Sequence, residues 1–219
     1  MARVSRQFEL NLPAWGGRRK GAGRKPGPGR PSVPHRRRSR HEPRCPAHVT
    51  LRASSGTASL RSERLIESVR AALVAATRGG FRVLHYSVQT DHLHLLVEAD
   101  TPTGFDRGMR GLAVRVAKAV NRARGRHGRV WADRYHARSL RTPREVRNAL
   151  VYVLNNWRKH VPGAAGLDPR SSAFSFQGWG SPIARTKRLA PLASARTWLL
   201  RVGWRKHGLL DFGEAPRRK

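Results

Sequence analysis

The sequence predicts an α+β domain: a four-stranded antiparallel sheet with two helices on one face, followed by a third helix. Two observations predict it. Short β-patterned runs rich in Val, Leu and aromatic residues alternate with longer runs whose apolar residues recur at helical spacing. Their order is strand, helix, strand, strand, helix, strand, the split βαβ or ferredoxin-like arrangement. This patterning is confined to residues 46–160, which sets an expected organisation of a basic arm (1–45), one domain (46–160) and an irregular basic extension (161–219).

Each element has its own signal. Ala47-His48-Val49-Thr50-Leu51-Arg52 alternates and reads as a first strand. From Leu60 to Thr77, Leu65, Ile66, Val69, Ala72, Leu73 and Ala76 fall at helical spacing, and Gly79-Gly80 ends that helix. Phe81–Gln89 and His92–Ala99 are strand-like and flank the tight turn Thr90-Asp91, which makes them a hairpin. A second helix is expected from Thr103 to about Arg124, with Met109, Leu112, Ala113, Val116 and Val120 as its buried stripe. Val130–Leu140 reads as a fourth strand with room for a bulge. Thr142-Pro143-Arg144-Glu145 carries a cap, a proline at the first helical position and a capping-box glutamate, so a third helix starts there and runs to about His160. Residues 161–192 are Gly/Pro/Ser-rich and irregular, and 194–210 holds a short helix broken near Gly203. With the helices on one side of the sheet, the opposite side is expected to be open.

Formal net charge is +32, from 45 Lys+Arg against 13 Asp+Glu, which points to a polyanionic partner, nucleic acid first. Residues 1–44 hold thirteen Lys/Arg and two Glu among repeated Gly and Pro, too little apolar surface to order on their own. The tripeptide Gly29-Arg30-Pro31 is shared with the core of a minor-groove-inserting AT-hook, but a non-specific basic arm explains it as well. The one cysteine, Cys45, excludes an internal disulfide. No signal-peptide pattern and no membrane-spanning run are evident, so the expected location is the cytoplasm.

Alternation puts His92 and His94 on one face of their strand, roughly 7 Å apart along the chain, with Leu93, Leu95 and Val97 on the other. Two imidazoles on a rigid face form half a site for a divalent metal, or are simply polar face residues. On the third helix, with Tyr152 at zero, Asn156 lies at about +40°, Asn148 at about −40° and the apolar stripe near +130°. Tyr152 thus sits outside the buried stripe, as a functional phenol or an ordinary half-exposed one. Tyr135, in Arg134-Tyr135-His136-Ala137-Arg138, is the rival nucleophile; alternatively it or Trp131 stacks on a base while Arg134 and Arg138 line a DNA channel. Arg115, Lys118 and Arg122 lie outside the second helix's stripe, as phosphate contacts or a solvated face.

Asp91-His92-Leu93-His94-Leu95-Leu96-Val97-Glu98, placed after a strand in this element order, resembles the His-hydrophobic-His motif of single-tyrosine HUH endonucleases. Tyr152-Val153-Leu154-Asn155-Asn156 is similar to their Tyr-x-x-x-Asn/Gln signature. Together, over about residues 46–160, they resemble the IS200-like transposases, particularly the REP-associated tyrosine transposases. Asp91 stands where that family usually has Asn. The resemblance implies that His92, His94 and the amide oxygen of Asn156 hold Mg²⁺ or Mn²⁺, with Asn155 the neighbouring alternative, and that Tyr152 is the nucleophile. It implies cleavage of single-stranded, hairpin-forming DNA through a 5′-phosphotyrosine, by a monomer or a homodimer. Two other classes compete with it: a non-catalytic DNA or RNA binder on the same fold, and a metal-dependent nuclease that uses water.

Overall fold

The structure is a computed structural model that describes residues 39–159, 166–182 and 192–215. They belong to one compact unit, His35–Lys219. Residues 1–38, including Gly29-Arg30-Pro31, lie outside the described residues, as do 160–165, 183–191 and 216–219. The element order is β1 (Ala47–Arg52), α1 (Glu63–Ala76), β2 (Phe81–Val88), β3 (His92–Ala99), α2 (Pro102–Ala123), β4 (His136–Ser139), α3 (Pro143–Asn155) and α4 (Trp198–Arg201), with short 3₁₀ turns at Asn156–Lys159, Ala173–Ser175 and Gly203–His207. The sheet order is β2-β3-β1-β4, and all neighbours are antiparallel.

Strand alternation gives the sheet two apolar faces. On one, Val49, Leu51, Leu93, Leu95 and Val97 meet Leu65, Val69 and Leu73 of α1 and Met109, Leu112 and Val116 of α2. Gly108 lets α2 approach closely, because a Cβ there would fall 2.2 Å from the Phe81 ring. The end of the expected arm joins this body: His41 is buried and stacks on Phe105 at 4.4 Å, and Cys45 is buried.

The other face differs from expectation. It is covered, not open: Leu84 and Leu96 pack under Val146, Leu150, Val153 and Leu154 of α3 and under Phe176, Trp179, Leu199, Trp204 and Leu210 of the extension. Charge and hydrogen bonds clamp that extension. Arg61 grips the fully buried Asp168 carboxylate at 2.8 and 2.9 Å, and Arg147 holds Glu214 at 2.6 and 2.9 Å. β4 is also shorter than the expected Val130–Leu140; only His136–Ser139 pair with β1, and residues 130–135 touch the sheet through an isolated bridge, Ala53 to Trp131. The α3 capping box forms as the sequence requires, with Glu145 N–H donating to Thr142 Oγ1 and the Thr142 N–H to Glu145 Oε2. Regular helix stops at Asn155 and tightens into the 3₁₀ turn.

His85, in β2 beneath this second core, is enclosed, with Nδ1 3.2 Å from Ser172 Oγ and Phe176 edge-on at 5.3 Å. Burial pushes its pKa down to about 4. The folded state therefore resists a proton that the unfolded chain takes up near its ordinary 6.5. The sign follows: stability is complete above about pH 6.5 and falls as pH drops towards 4, by on the order of 3 kcal/mol from this group. Urea unfolding across that window shows the slope, and His85→Gln reduces it without removing it, because His48, also lowered to about 4, titrates there too.

Candidate active site

β1, β3 and α3 bring four rings together. Register pairs Thr50 with His94 and Arg52 with His92, so β1 residues of the same parity share the histidine face. The His92 and His94 rings lie 4.6 Å apart, closer than the roughly 7 Å the strand repeat alone suggests, because side chains tilt towards each other. From α3, Tyr152 meets the His94 ring at 4.8 Å and 83° and the His48 ring at 5.4 Å and 67°, edge-to-face contacts that orient the phenol. Tyr152 is partly buried, and that burial raises its pKa above the ordinary phenol value.

The second nitrogen of each strand imidazole is tied down. His92 Nδ1 lies 2.7 Å from Asp91 Oδ1, and a carboxylate only accepts, so Nδ1 carries the hydrogen and Nε2 the lone pair. Asp91 is itself paired with Arg52 at 3.0 Å; the His92 bond and then Arg52 hold its carboxyl below the usual range. His94 Nδ1 faces Thr50 Oγ1 at 3.1 Å and His48 Nε2 at 3.3 Å. His48 stays neutral, its pKa lowered to about 4 by burial and by the charges of Arg138 and His136.

Asn156 follows Tyr152 by one helical turn with αR backbone (φ −62°, ψ −27°), which keeps the two on adjacent positions of one flank. It is buried at 1% exposure, and neither its amide oxygen nor its nitrogen has a hydrogen-bond partner. A buried orphan amide is costly unless something coordinates it. Asn155 has the opposite fate: its Nδ2 donates to the Asp211 and Glu214 carbonyls at 2.9 Å each, so its side chain anchors the extension. Among the described residues no three His, Cys, Asp or Glu cluster as metal ligands.

A family model described as "Transposase IS200 like" matches residues 43–156. The chain belongs to the IS200-like transposase family. No curated protein matches it. Among solved structures, "Structure of the REP associates tyrosine transposase bound to a REP hairpin" is 18% identical, with 58% of this chain and 74% of that one covered and a TM-score of 0.48. No described helix of this IS200-like chain is long and apolar enough to cross a membrane.

The remaining sequence candidates divide between the two sheet faces. Arg138 pairs with His48 in register, is exposed on the histidine face and contacts Glu145 at 3.3 Å. Trp131 and Tyr135 pack on the opposite, α2 side, where Trp131 Nε1 donates to the Ala113 carbonyl and Tyr135 Oη to Asp106 at 3.4 Å. Arg134 is exposed beside them, while Lys118 and Arg122 are exposed and Arg115 part-exposed on α2. Sequence reasoning missed His48 and Thr50. Their signal was present, in β1 residues of one parity, but only the β1–β3 register shows which strand neighbours the histidines.

Proposed function

We propose that this transposase-family protein is a metal-dependent, single-tyrosine endonuclease and strand transferase of the HUH type, acting on single-stranded, hairpin-forming DNA from a ferredoxin-like βαββαβ frame. The observation that carries the reading is the packing of Tyr152 from α3 on His94, whose ring also meets His92, and the reading is supported by the orphaned amide of Asn156 one helical turn after the tyrosine. The donor set fits Mg²⁺ or Mn²⁺: two neutral imidazoles through Nε2 and one amide oxygen. Bound there, the metal supplies Lewis-acid polarisation of the scissile phosphate.

The chain's own groups do the rest. Asp91, Thr50 and His48 set the tilt of the imidazoles, and His94 and His48 hold the phenol. Tyr152 Oη attacks phosphorus, its proton passing to solvent; the P–O3′ bond breaks, and the departing oxygen takes a proton to become a 3′-OH. The 5′ end stays as a phosphotyrosine ester, and attack by a 3′-OH from another strand reverses the step without ATP. Within one chain Tyr152 lies against His94, which supports cleavage by a monomer. Arg138 on this face, with Arg115, Lys118, Arg122 and Arg134, supplies phosphate contacts, and the basic 1–45 arm adds non-specific grip.

Labelled hairpin DNA incubated with the protein and Mn²⁺, then run on a denaturing gel, tests this. A protein-linked band lost with chelator supports the reading. Cleavage with no linked band would sink the phosphotyrosine route, and binding without cleavage would leave a plain nucleic-acid binder. Calorimetry of Mn²⁺ binding gives a separate prediction: Asp91→Ala weakens affinity about 10–100-fold, while Asp91→Asn, whose amide oxygen still accepts from His92 Nδ1–H, stays close to the parent.

A further inference from the structure

A second site lies across the sheet from Tyr152. An open cleft of about 1090 Å³ runs between the start of α2, the 130–135 segment and residues 39–41. That is room for one or two nucleotides, given that ligand pockets are typically about 300–1,000 Å³. Its lining separates by chemistry. Trp131 and Tyr135 offer π faces, the first pinned through its indole nitrogen, the second through its hydroxyl and by an edge contact with Phe105 at 6.2 Å. Arg40, Arg110 and Arg134 are exposed on the lining, beside Thr103 in the first turn of the 22-residue α2. Cationic side chains and a helix N-terminus both favour phosphate.

The lining also carries the Ser39 hydroxyl, which donates or accepts, and a set of acceptors. Asp106 and Asp133 present carboxylates, each already engaged through Oδ1, by the Tyr135 hydroxyl and by the Arg134 N–H at 2.6 Å. His41 is 7% exposed, and its Nε2 reaches the Ala99 carbonyl at 3.4 Å. A carbonyl cannot donate, so Nε2 carries the hydrogen and Nδ1 the lone pair. That Nδ1 is buried without a hydrogen-bond partner in a residue that lines the cleft. An aromatic-walled cleft lined by arginines and carrying three acceptors suits a ligand with a phosphate, a flat ring and a donor edge.

We propose that this cleft is a base-reading subsite for an unstacked nucleotide bearing an exocyclic amine (cytosine, adenine or guanine), and that it discriminates against thymine. Thymine offers a single N–H between two carbonyls, which would face the carboxylates. The proposal rests on the single-strand DNA reading above. β4 is the sheet edge between the two sites, with Arg138 on the Tyr152 face and Tyr135 on the cleft side. A strand crossing that edge meets both.

Fluorescence anisotropy with labelled dC₁₆, dA₁₆ and dT₁₆ tests the preference, and photocrosslinking with 5-iododeoxycytidine in dC₁₆ followed by peptide mapping tests the place. The parent protein is expected to bind dC₁₆ and dA₁₆ about tenfold more tightly than dT₁₆, the worth of one charge-assisted hydrogen bond. Asp106→Asn is expected to erase most of that ratio while leaving dT₁₆ binding intact, and the crosslink to fall on the Trp131–Tyr135 peptide. Equal binding of all three oligonucleotides, or a crosslink confined to other peptides, overturns the subsite and leaves the DNA reading standing. Failure to bind any of them overturns the subsite, while the hairpin-DNA reading stands or falls on the labelled-hairpin assay above.

Discussion

Tyr152→Phe is expected to remove the protein-linked DNA band entirely, while Tyr135→Phe should keep it. The substitution deletes one oxygen from a partly buried ring whose edge contacts with His94 and His48 involve carbon faces, so the fold and the ring position survive. What is lost is the oxygen that the proposed mechanism uses to form the ester. Removing a nucleophile in an otherwise intact site costs at least about 10³-fold in rate, so no adduct accumulates on the assay's timescale. Tyr135 cannot substitute. It packs on the α2 side of the sheet, with its hydroxyl directed to Asp106, while His92 and His94 face the other way. Its phenylalanine variant is expected to lower DNA affinity a few-fold at most, by weakening the hold on Asp106. The result that would sink this assignment is an adduct that persists in Tyr152→Phe and disappears in Tyr135→Phe. Mn²⁺ titration of both variants separates chemistry from folding, since each should bind metal as the parent does.

How far the chain could be read in advance follows from the range of each interaction. β1, β2, β3, α1, α2 and the start of α3 were legible because period-2 and period-3.6 patterns, the Gly79-Gly80 stop and the Thr142 capping box are local. The proximity of Tyr152 to His94 was legible only through the two motifs together, since neither spacing alone says which sheet face α3 covers. Three features were out of reach. β4 shrinks to four residues because Trp131 and Tyr135 turn to pack on α2, a tertiary preference that overrides strand-like composition. The covered second face depends on Phe176, Trp179, Leu199, Trp204 and Leu210, apolar residues too widely scattered to show any period. His48 and Thr50 look like ordinary strand polar residues until the register sets them beside His94.

Glu98 shows why that second face matters, and it gives the largest stability effect expected here. On parity it shares the strand face of His92 and His94, two pleats beyond, where the sequence alone allows either a distant supporting group or an exposed residue. In the fold it is fully buried, and its carboxylate receives the Arg196 N–H at 2.8 Å, the Thr197 N–H at 3.1 Å and the Thr197 hydroxyl at 2.7 Å, with Arg82 at 3.6 Å. It therefore seats the start of α4, from which Leu199 and Leu200 reach the core shared with α3. Glu98→Ala strands those donors and takes one carboxylate from Arg82, which keeps Asp100 at 2.6 Å. Breaking a buried pair of this kind costs about 3–5 kcal/mol, which corresponds to a fall of about 10 °C in Tm for a domain of this size. Glu98→Gln retains one acceptor for Thr197 and should lose roughly half as much. The consequence reaches catalysis through packing: with α4 loosened, α3 loses part of its support, and Tyr152 loses its fixed distance to His94. Adduct yield in Glu98→Ala should then match the parent at low temperature and collapse several degrees below the parent's own loss. A variant whose Tm is unchanged, or whose adduct yield falls equally at every temperature, would show instead that Glu98 acts at the site itself.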